Sequence, residues 1–255
     1  MGKFDEIEAP PRRVMTLFLL YDTSASMEGE KMGTVNAAML EIIPYLADIS
    51  ATNADAQIKV AVMEFNSGCE WQCPQPIDAE QFQWRDLEAV GLTQLGEALT
   101  ELNKVLSTSH GFMKQASGSF APAIVLFSDG EPTDDYKRPL AKLRENNWFK
   151  SAIKVAVAIG DDANKEVLAD FTGNRESVIT VHTKEQLKKI IHFVSVTPSQ
   201  VASSHGSVGT EAPATKQEEF IEALRDAQET TDTFDGVDVG ADDTTNEGTD
   251  TWGEF

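Results

Sequence analysis

The chain has 255 residues, of which 41% are apolar, and this is enough for one large globular domain or two small ones. It carries 42 acidic and 21 basic residues, which gives a formal net charge of -21 at pH 7. Such a charge argues against nucleic acid and against a membrane as the main partner, because nucleic acids and anionic lipids attract basic surfaces.

The cysteines and the apolar runs bear on the compartment of the protein. Cys69 and Cys73 are too few for a disulfide framework, and two thiols four residues apart make only half of a zinc site. No apolar run approaches the roughly 18 residues of a membrane span. Residues 1–13, an N-terminal extension, contain no apolar core of a signal peptide. We therefore expect a soluble cytoplasmic protein with reduced cysteines.

Residues 14–195 alternate between strand-like and helix-like patterns. Runs that are apolar throughout or at every second position predict strands, and apolar residues at intervals of three and four predict helices. The predicted strands are 14–22, 57–66, 69–77, 121–130, 152–160 and 177–183. The predicted helices are 31–49, 95–106, 135–147, 164–173 and 184–196. This order predicts an α/β domain with a doubly wound, mainly parallel sheet and helices on both faces.

Residues 196–255 differ from the rest in composition. They contain 14 acidic and 2 basic residues and few large aliphatic side chains. Such a segment buries too little apolar surface to offset its loss of conformational entropy, which predicts a largely disordered tail. A short helix is expected near 216–228, where three large apolar side chains share one helical face. An aromatic recurs in "TDTFDG" and "TDTWGEF", and we expect this tail to bind a partner or to regulate a site on the domain.

Acidic side chains follow three of the predicted strands. Asp22 ends the first strand, Asp129 lies at the end of "APAIVLFSD", and Asp161 and Asp162 follow "AIKVAVAIG". In sheets of this kind, ligands bind at the carboxyl ends of the strands. These carboxylates therefore mark the end of the sheet where a ligand is expected.

The stretch "DTSASM" places Asp22, Ser24 and Ser26 at alternate positions after the first strand. One interpretation is that a serine merely caps the following helix. A second is phosphoryl transfer through Asp22, but a dehalogenase-like phosphatase needs an acid where Ser24 stands. A receiver-like site needs a lysine that the later strand ends do not supply. The third is a divalent cation site, because Mg²⁺ prefers hard oxygen ligands.

Thr93 offers a further hydroxyl from a different loop. It lies in "VGLTQLGEAL", between a glycine and the start of a predicted helix. Its alternative role is a cap on that helix. If it faces the same crevice as Asp22 and Asp129, it completes a set of hard oxygen ligands.

Three motifs in this order resemble those of a von Willebrand factor type A domain. They are "DTSASM" at 22–27, "GLTQLGEAL" at 91–99 and "FSDGEPTDD" at 127–135, and the resemblance covers roughly residues 14–195. The wording "DGEPTD" is most similar to the bacterial TerY-like proteins associated with tellurite resistance. In this family such motifs build a metal-ion-dependent adhesion site. One departure is Leu92, where many relatives have glycine. The resemblance implies metal-ligand roles for five residues, namely Asp22, Ser24, Ser26, Thr93 and Asp129.

The resemblance implies an interaction module that binds Mg²⁺ or Mn²⁺ and takes a carboxylate from a protein partner. The TerY-like setting implies a tellurite or stress response with a protein kinase and a PP2C-type phosphatase. Two alternatives stay open: a Mg²⁺-dependent phosphohydrolase, and an adaptor for an AAA+ ATPase. No nucleophile with a paired base is apparent, which favours a protein that is not an enzyme. We expect all four histidines to lie at the surface: His110, His182, His192 and His205.

Overall fold

One mixed β-sheet forms the centre of the domain. The structure is a computed structural model, and it describes residues 12–54, 56–113, 118–161, 163–203 and 215–240. Its strands, within these residues, are β1 (Arg13–Asp22), β2 (Ala56–Phe65), β3 (Cys69–Trp71), β4 (Ile77–Asp78), β5 (Ala123–Ser128), β6 (Ile153–Ile159), β7 (Val178–Val181) and β8 (Asp238–Val239). The helices are α1 (Glu30–Thr52), α2 (Leu95–Val105), α3 (Lys137–Glu145), α4 (Asn147–Ser151), α5 (Lys165–Thr172), α6 (Lys184–Ser203) and α7 (Lys216–Thr230).

The strand order is β3-β2-β1-β5-β6-β7-β8, and β4 pairs with β2 beside β3. The five long or central strands, β2, β1, β5, β6 and β7, run parallel to one another. The short strands β3, β4 and β8 are antiparallel. The predicted α/β class with a mainly parallel sheet is thus confirmed.

Alternate residues of β1 build the two layers of the core. Leu17 and Leu19 face one side with α1, α6 and α7, while Phe18 and Leu20 face the other with α2, α3 and α5. All four side chains are fully buried. Successive side chains of a strand point to opposite faces, so a continuous apolar run produces a strand covered on both sides.

The predicted helix 135–147 corresponds to α3, which ends at Glu145, and the separate helix α4 follows it from Asn147. Asn146 has an extended backbone between them, and its side-chain oxygen accepts a 2.9 Å hydrogen bond from the Trp148 N–H. Its amide nitrogen also donates to the Leu106 carbonyl over 2.8 Å. Asparagine is a favourable N-cap, and this cap ends α3 and begins α4.

The structure differs from the expectation that the domain ends at residue 195. Helix α6 continues to Ser203, and residues 215–240, the C-terminal segment, pack on the domain. Phe220, Leu224 and Phe234 of this segment are buried, and β8 extends the sheet beside β7. The helix expected near 216–228 is present as α7, whereas the acidic composition did not reveal that its apolar face is buried on the domain. The rest of the predicted tail, 204–214 and 241–255, lies outside the described residues.

No helix in the described part of the chain has the length and apolar character needed to cross a bilayer.

Candidate metal centre

The centre of the candidate site lies where the neighbouring strands β1 and β5 end. The two strands are parallel, and Tyr21 pairs with Phe127 in the register. Asp22 is the last residue of β1, and Asp129 follows Ser128, the last residue of β5. The register therefore brings both carboxylates to the same edge of the sheet, as the sequence predicts.

Asp22 is fully buried and is held by two donors. Its Oδ1 accepts the backbone N–H of Ser24 at 2.9 Å, and its Oδ2 accepts the hydroxyl of Ser128 at 2.7 Å. Burial raises the pKa of Asp22 above its ordinary value, and the hydrogen bonds from Ser128 and Ser24 offset part of that rise. The carboxylate thus has a fixed orientation before any ligand arrives.

The two serines connect Asp22 to Asp129. The Oγ atoms of Ser24 and Ser26 lie 3.1 Å apart, and Ser26 Oγ donates to Oδ1 of Asp129 over 2.7 Å. Asp129 is fully buried, and its other oxygen accepts a 2.7 Å hydrogen bond from Nζ of Lys31. Asp22, Ser24, Ser26 and Asp129 therefore form one continuous polar cluster.

Neither serine of this cluster caps α1. The N-cap residue of α1 is Gly29, at φ 83. Ser24 precedes a 3₁₀ turn, Ala25–Met27, without any capping hydrogen bond from its side chain. The capping interpretation is therefore wrong for these two residues, and their hydroxyls face Asp129 and each other instead.

Thr93 reaches the same crevice from the loop before α2. A Cβ built on Gly130 would lie 3.5 Å from Ser26 Oγ and 3.8 Å from Thr93 Oγ1, so both hydroxyls approach one point of the backbone. The side chain of Thr93 does not cap α2, whose N-cap is Gln94. Its carbonyl accepts the backbone N–H of Thr133 at 2.8 Å. Thr93 is 6% exposed.

Backbone hydrogen bonds join the loop of Thr93 to the loop after β1. Val90 N–H donates to the Thr23 carbonyl over 2.7 Å, and Ala25 N–H donates to the Gly91 carbonyl over 3.1 Å. Gly91 has φ 83, and a Cβ there would lie 2.6 Å from Ser67 Oγ, so this turn requires glycine. The departure at Leu92 leaves the loop intact, with its N–H donating to Ser67 Oγ.

The candidate ligands offer three hydroxyls and two carboxylates beside Gly130. They are Asp22, Ser24, Ser26, Thr93 and Asp129. All are hard oxygen donors of the kind that Mg²⁺ and Mn²⁺ prefer. Gly130 follows Asp129 directly and lies beside the hydroxyls of Ser26 and Thr93. The residues present therefore fit a small divalent cation.

The described histidines take no part in this cluster. His110 Nδ1 lies 2.9 Å from the hydroxyl of its neighbour Ser109, and His192 packs against Tyr45. His182 departs from the expected surface position, because it is only 7% exposed. His205 lies outside the described residues.

The carboxylate predicted after β6 contacts His182 rather than the serine cluster. Oδ1 of Asp161 lies 2.5 Å from His182 Nδ1, and Asp238 of β8 lies 3.2 Å from Nε2. Asp162 is outside the described residues. The paired residues Asp161 and His182 thus link the loops after β6 and β7 to the C-terminal segment.

The cysteines are free thiols of intermediate exposure. Cys69 lies in β3, and burial raises its pKa to about 11, with Glu97 and Glu101 contributing. The thiol of Cys69 therefore stays protonated and unreactive at neutral pH, which agrees with the expectation of a reduced cysteine.

Two residues of the cluster were not predicted from the sequence. Ser128 holds Asp22, and Lys31 pairs with Asp129. The available signals were a hydroxyl at the end of a buried apolar strand and a lysine in the first turn of a helix. Neither signal is specific without the register between β1 and β5.

Comparison with known proteins gives a family and a fold. A family model described as von Willebrand factor type A domain matches residues 16–193. No curated protein matches the chain. The solved structure of proximal thread matrix protein 1 from the mussel byssus has a TM-score of 0.55 and 18% identity, covering 72% of this chain and 47% of that one.

Two other solved structures show the same fold. A von Willebrand factor type A protein from Catenulispora acidiphila has a TM-score of 0.53 and 16% identity, covering 73% of this chain and 43% of that one. A mussel matrix protein structure described with a zinc-occupied MIDAS motif has a TM-score of 0.51 and 17% identity, covering 72% of this chain and 45% of that one. The chain thus spans less than half the length of these proteins.

Proposed function

Because the chain belongs to the von Willebrand factor type A domain family, we propose that it is a metal-ion-dependent protein-interaction module. The cation is Mg²⁺ or Mn²⁺, and its ligands come from Asp22, Ser24, Ser26, Thr93 and Asp129. The observation that carries this proposal is the continuous cluster of hydroxyls and buried carboxylates at the ends of β1 and β5.

The composition of the ligand set explains why a protein partner is needed. Neutral hydroxyls outnumber carboxylates, and a cation held largely by hydroxyls keeps much of its positive charge. When bound, the ion supplies an open coordination position that attracts an anionic oxygen. A carboxylate from an aspartate or glutamate of the partner fits that position.

The surface beside Thr93 supports a protein as the source of this carboxylate. Val90 is 61% exposed and Leu92 is 55% exposed, and both lie on the loop that carries Thr93. Exposed large apolar side chains next to a polar site are typical of protein interaction surfaces. An acidic partner residue flanked by an apolar one would match both features.

The sequence of the third motif supports a more specific biological context. "DGEPTD" follows β5 and is similar to that of TerY-like proteins. We therefore place the protein in the cytoplasm, in a tellurite or stress response with a protein kinase and a PP2C-type phosphatase as partners. Nucleic acid and membranes are not expected partners, given the net charge of -21.

Binding without catalysis is the role we assign to the site. A hydrolase of this kind needs a general base beside its nucleophile. The nitrogens of His182 face Asp161 and Asp238, and no described histidine contacts a hydroxyl of the cluster. Purified protein incubated with phosphoester substrates and Mg²⁺ should give background turnover. Turnover that disappears in Asp22→Asn would establish the phosphohydrolase instead.

A pull-down from the native host with and without EDTA tests the proposal. The tagged protein should retain specific proteins in Mg²⁺ and release them in EDTA, and Ser24→Ala should release them in either buffer. Glu222→Ala, which changes an exposed residue of α7, should behave as the unmodified protein. Capture that is the same in EDTA would contradict metal-dependent recognition, and capture of an AAA+ ATPase would favour the adaptor function.

A further inference from the structure

Lys31 is in an unexpected place for a lysine. It is the second residue of α1, where the positive end of the helix dipole disfavours a cation and favours an acid. Its side chain is nevertheless only 14% exposed. The helix itself offers no reason for a buried ammonium at this position, so the reason must come from its partner.

That partner is Asp129 of the candidate metal centre. Nζ of Lys31 lies 2.7 Å from Oδ2 of Asp129, which is fully buried, while Oδ1 of Asp129 accepts the hydroxyl of Ser26. Lys104 and Glu101 form an ion pair of the same length, but Lys104 is 68% exposed. The Lys31 pair is therefore far more shielded from water than an ordinary surface pair, and its attraction is correspondingly stronger.

The charges of the cluster explain why such a pair is needed. Asp22 and Asp129 are both fully buried at the ends of the neighbouring strands β1 and β5. Two buried carboxylates at one edge of a sheet repel each other unless a cation compensates them. In the domain alone, the ammonium of Lys31 is positioned to supply that compensation.

We propose that Lys31 is an internal counter-ion of the site, which stabilises the cation-free domain and weakens the binding of a divalent cation. The inference rests on the proposed function, because it assumes that the cation binds between Asp22 and Asp129. An ammonium at one oxygen of Asp129 repels an incoming ion and competes for the same carboxylate. The pairing thus sets the cation concentration at which the domain becomes competent to bind its partner.

Calorimetric titration with Mn²⁺ tests the proposal on the full chain. Lys31→Met retains the aliphatic stem and removes the charge. We expect this variant to bind Mn²⁺ about tenfold or more tightly than the unmodified protein, and its EDTA-treated form to melt at a lower temperature. Lys31→Arg should stay close to the unmodified protein in both measurements.

Lys104→Met is the matched control, because it removes an exposed ion pair of the same length at the far end of α2 from Thr93. It should leave Mn²⁺ affinity unchanged. Equal affinity of Lys31→Met and the unmodified protein for Mn²⁺ would overturn the counter-ion role while leaving the metal site established. If neither protein bound Mn²⁺, both the site and the counter-ion role would be overturned. Binding seen only after Lys31→Met, and lost again on adding Asp22→Ala, would support the counter-ion.

Discussion

The candidate metal centre and the C-terminal segment both border the same sheet, yet different interactions hold them. At the ends of β1 and β5, two buried carboxylates accept short hydrogen bonds from the side chains of Ser26, Ser128 and Lys31. Beyond β7, the acidic segment is held by five buried apolar side chains: Phe220, Ile221, Leu224, Phe234 and Val237. The first region buries two carboxylates, and the second buries apolar side chains.

From this difference we expect cation binding and stability to depend on different regions of one domain. A polar cluster with two buried carboxylates contributes little to the free energy of unfolding, because desolvation offsets much of the attraction. Apolar side chains buried at the sheet edge contribute directly through transfer from water and close packing. Substitutions of the candidate ligands should therefore change mainly the cation affinity, and substitutions of buried residues in the C-terminal segment should change mainly the stability.

Phe220→Ala should have the largest effect on stability. The ring is fully buried and lies 6.2 Å from that of Phe193 in α6. Removing such a ring leaves a cavity and typically costs about 3–5 kcal/mol. Denaturant unfolding measures this loss, and Mn²⁺ affinity of the remaining folded protein should stay the same.

The control for this prediction is Glu222→Ala, which truncates an exposed side chain on the same helix and should change the free energy of unfolding by less than about 0.5 kcal/mol. If Phe220→Ala were as mild as this control, the C-terminal segment would not be part of the domain. A disordered tail, as its composition predicts, would then describe these residues correctly.

Asp22→Ala should have the opposite profile. Mn²⁺ affinity should fall by about a hundredfold or more, because a fixed carboxylate of the ligand set is lost. The cation-free protein should remain folded, since the change removes one of two buried carboxylates. Calorimetry measures the affinity and thermal melting in EDTA measures the stability.

Asp226→Ala is the matched control for Asp22→Ala, because it removes an exposed carboxylate from α7. It should leave both values unchanged. Unaltered Mn²⁺ affinity after Asp22→Ala would exclude the proposed site, and unfolding of the EDTA-treated variant would contradict the separation of the two regions.

The two regions also differ in how far the sequence reveals them. The candidate ligands were predictable because Asp22, Ser24 and Ser26 lie at fixed local spacing after an apolar strand. The contacts of Ser128 and Lys31 were not, since they depend on the register of strands more than 100 residues apart. Register is a property of the folded sheet rather than of any local pattern.

The C-terminal segment was predicted only in part, since its helix was expected but its packing on the domain was not. Its average composition is acidic and polar, and composition predicts disorder by averaging over many residues. The packing of Phe234 against Phe193, with ring centroids 5.1 Å apart, depends on single side chains. The short strand β8 is held by backbone hydrogen bonds, among them that from Gly240 N–H to the Val178 carbonyl at 2.9 Å. Such bonds leave no strong mark on the sequence.

A smaller effect is expected from Gln217→Ala, which sharpens the account of how α7 is anchored. Oε1 of Gln217 accepts the N–H of Lys154 at 2.7 Å, and its Nε2 donates to the Lys154 carbonyl at 3.1 Å. The side chain thus completes β6 where β7 does not reach. Losing it leaves two backbone groups unpaired and should cost about 1–3 kcal/mol. Gln228→Ala, an exposed change on the same helix, should be nearly neutral in the same unfolding experiment.

The smallest effect concerns Lys154 itself, which lies in β6 beside Gln217. Burial lowers its pKa from 10.5 to about 8, although its ammonium donates to the carbonyls of Phe149 and Ala152. Between pH 8 and about 10, the unfolded chain holds this proton while the folded protein releases it. The free energy of unfolding therefore rises with pH between pH 8 and about 10. Below pH 8 both states hold the proton, so the cost of burying the charged ammonium lowers the free energy of unfolding by a constant amount.

Lys154→Met removes this dependence while retaining much of the apolar stem. Comparing the two proteins at each pH cancels the titration of the other groups. Relative to the variant, the unmodified protein should gain about 1–2 kcal/mol between pH 8 and pH 10 in denaturant unfolding. A difference that stays constant over this range would show that the ammonium is well solvated. The burial of this ammonium on the face of the sheet beside Phe149, opposite the C-terminal segment, would then be contradicted.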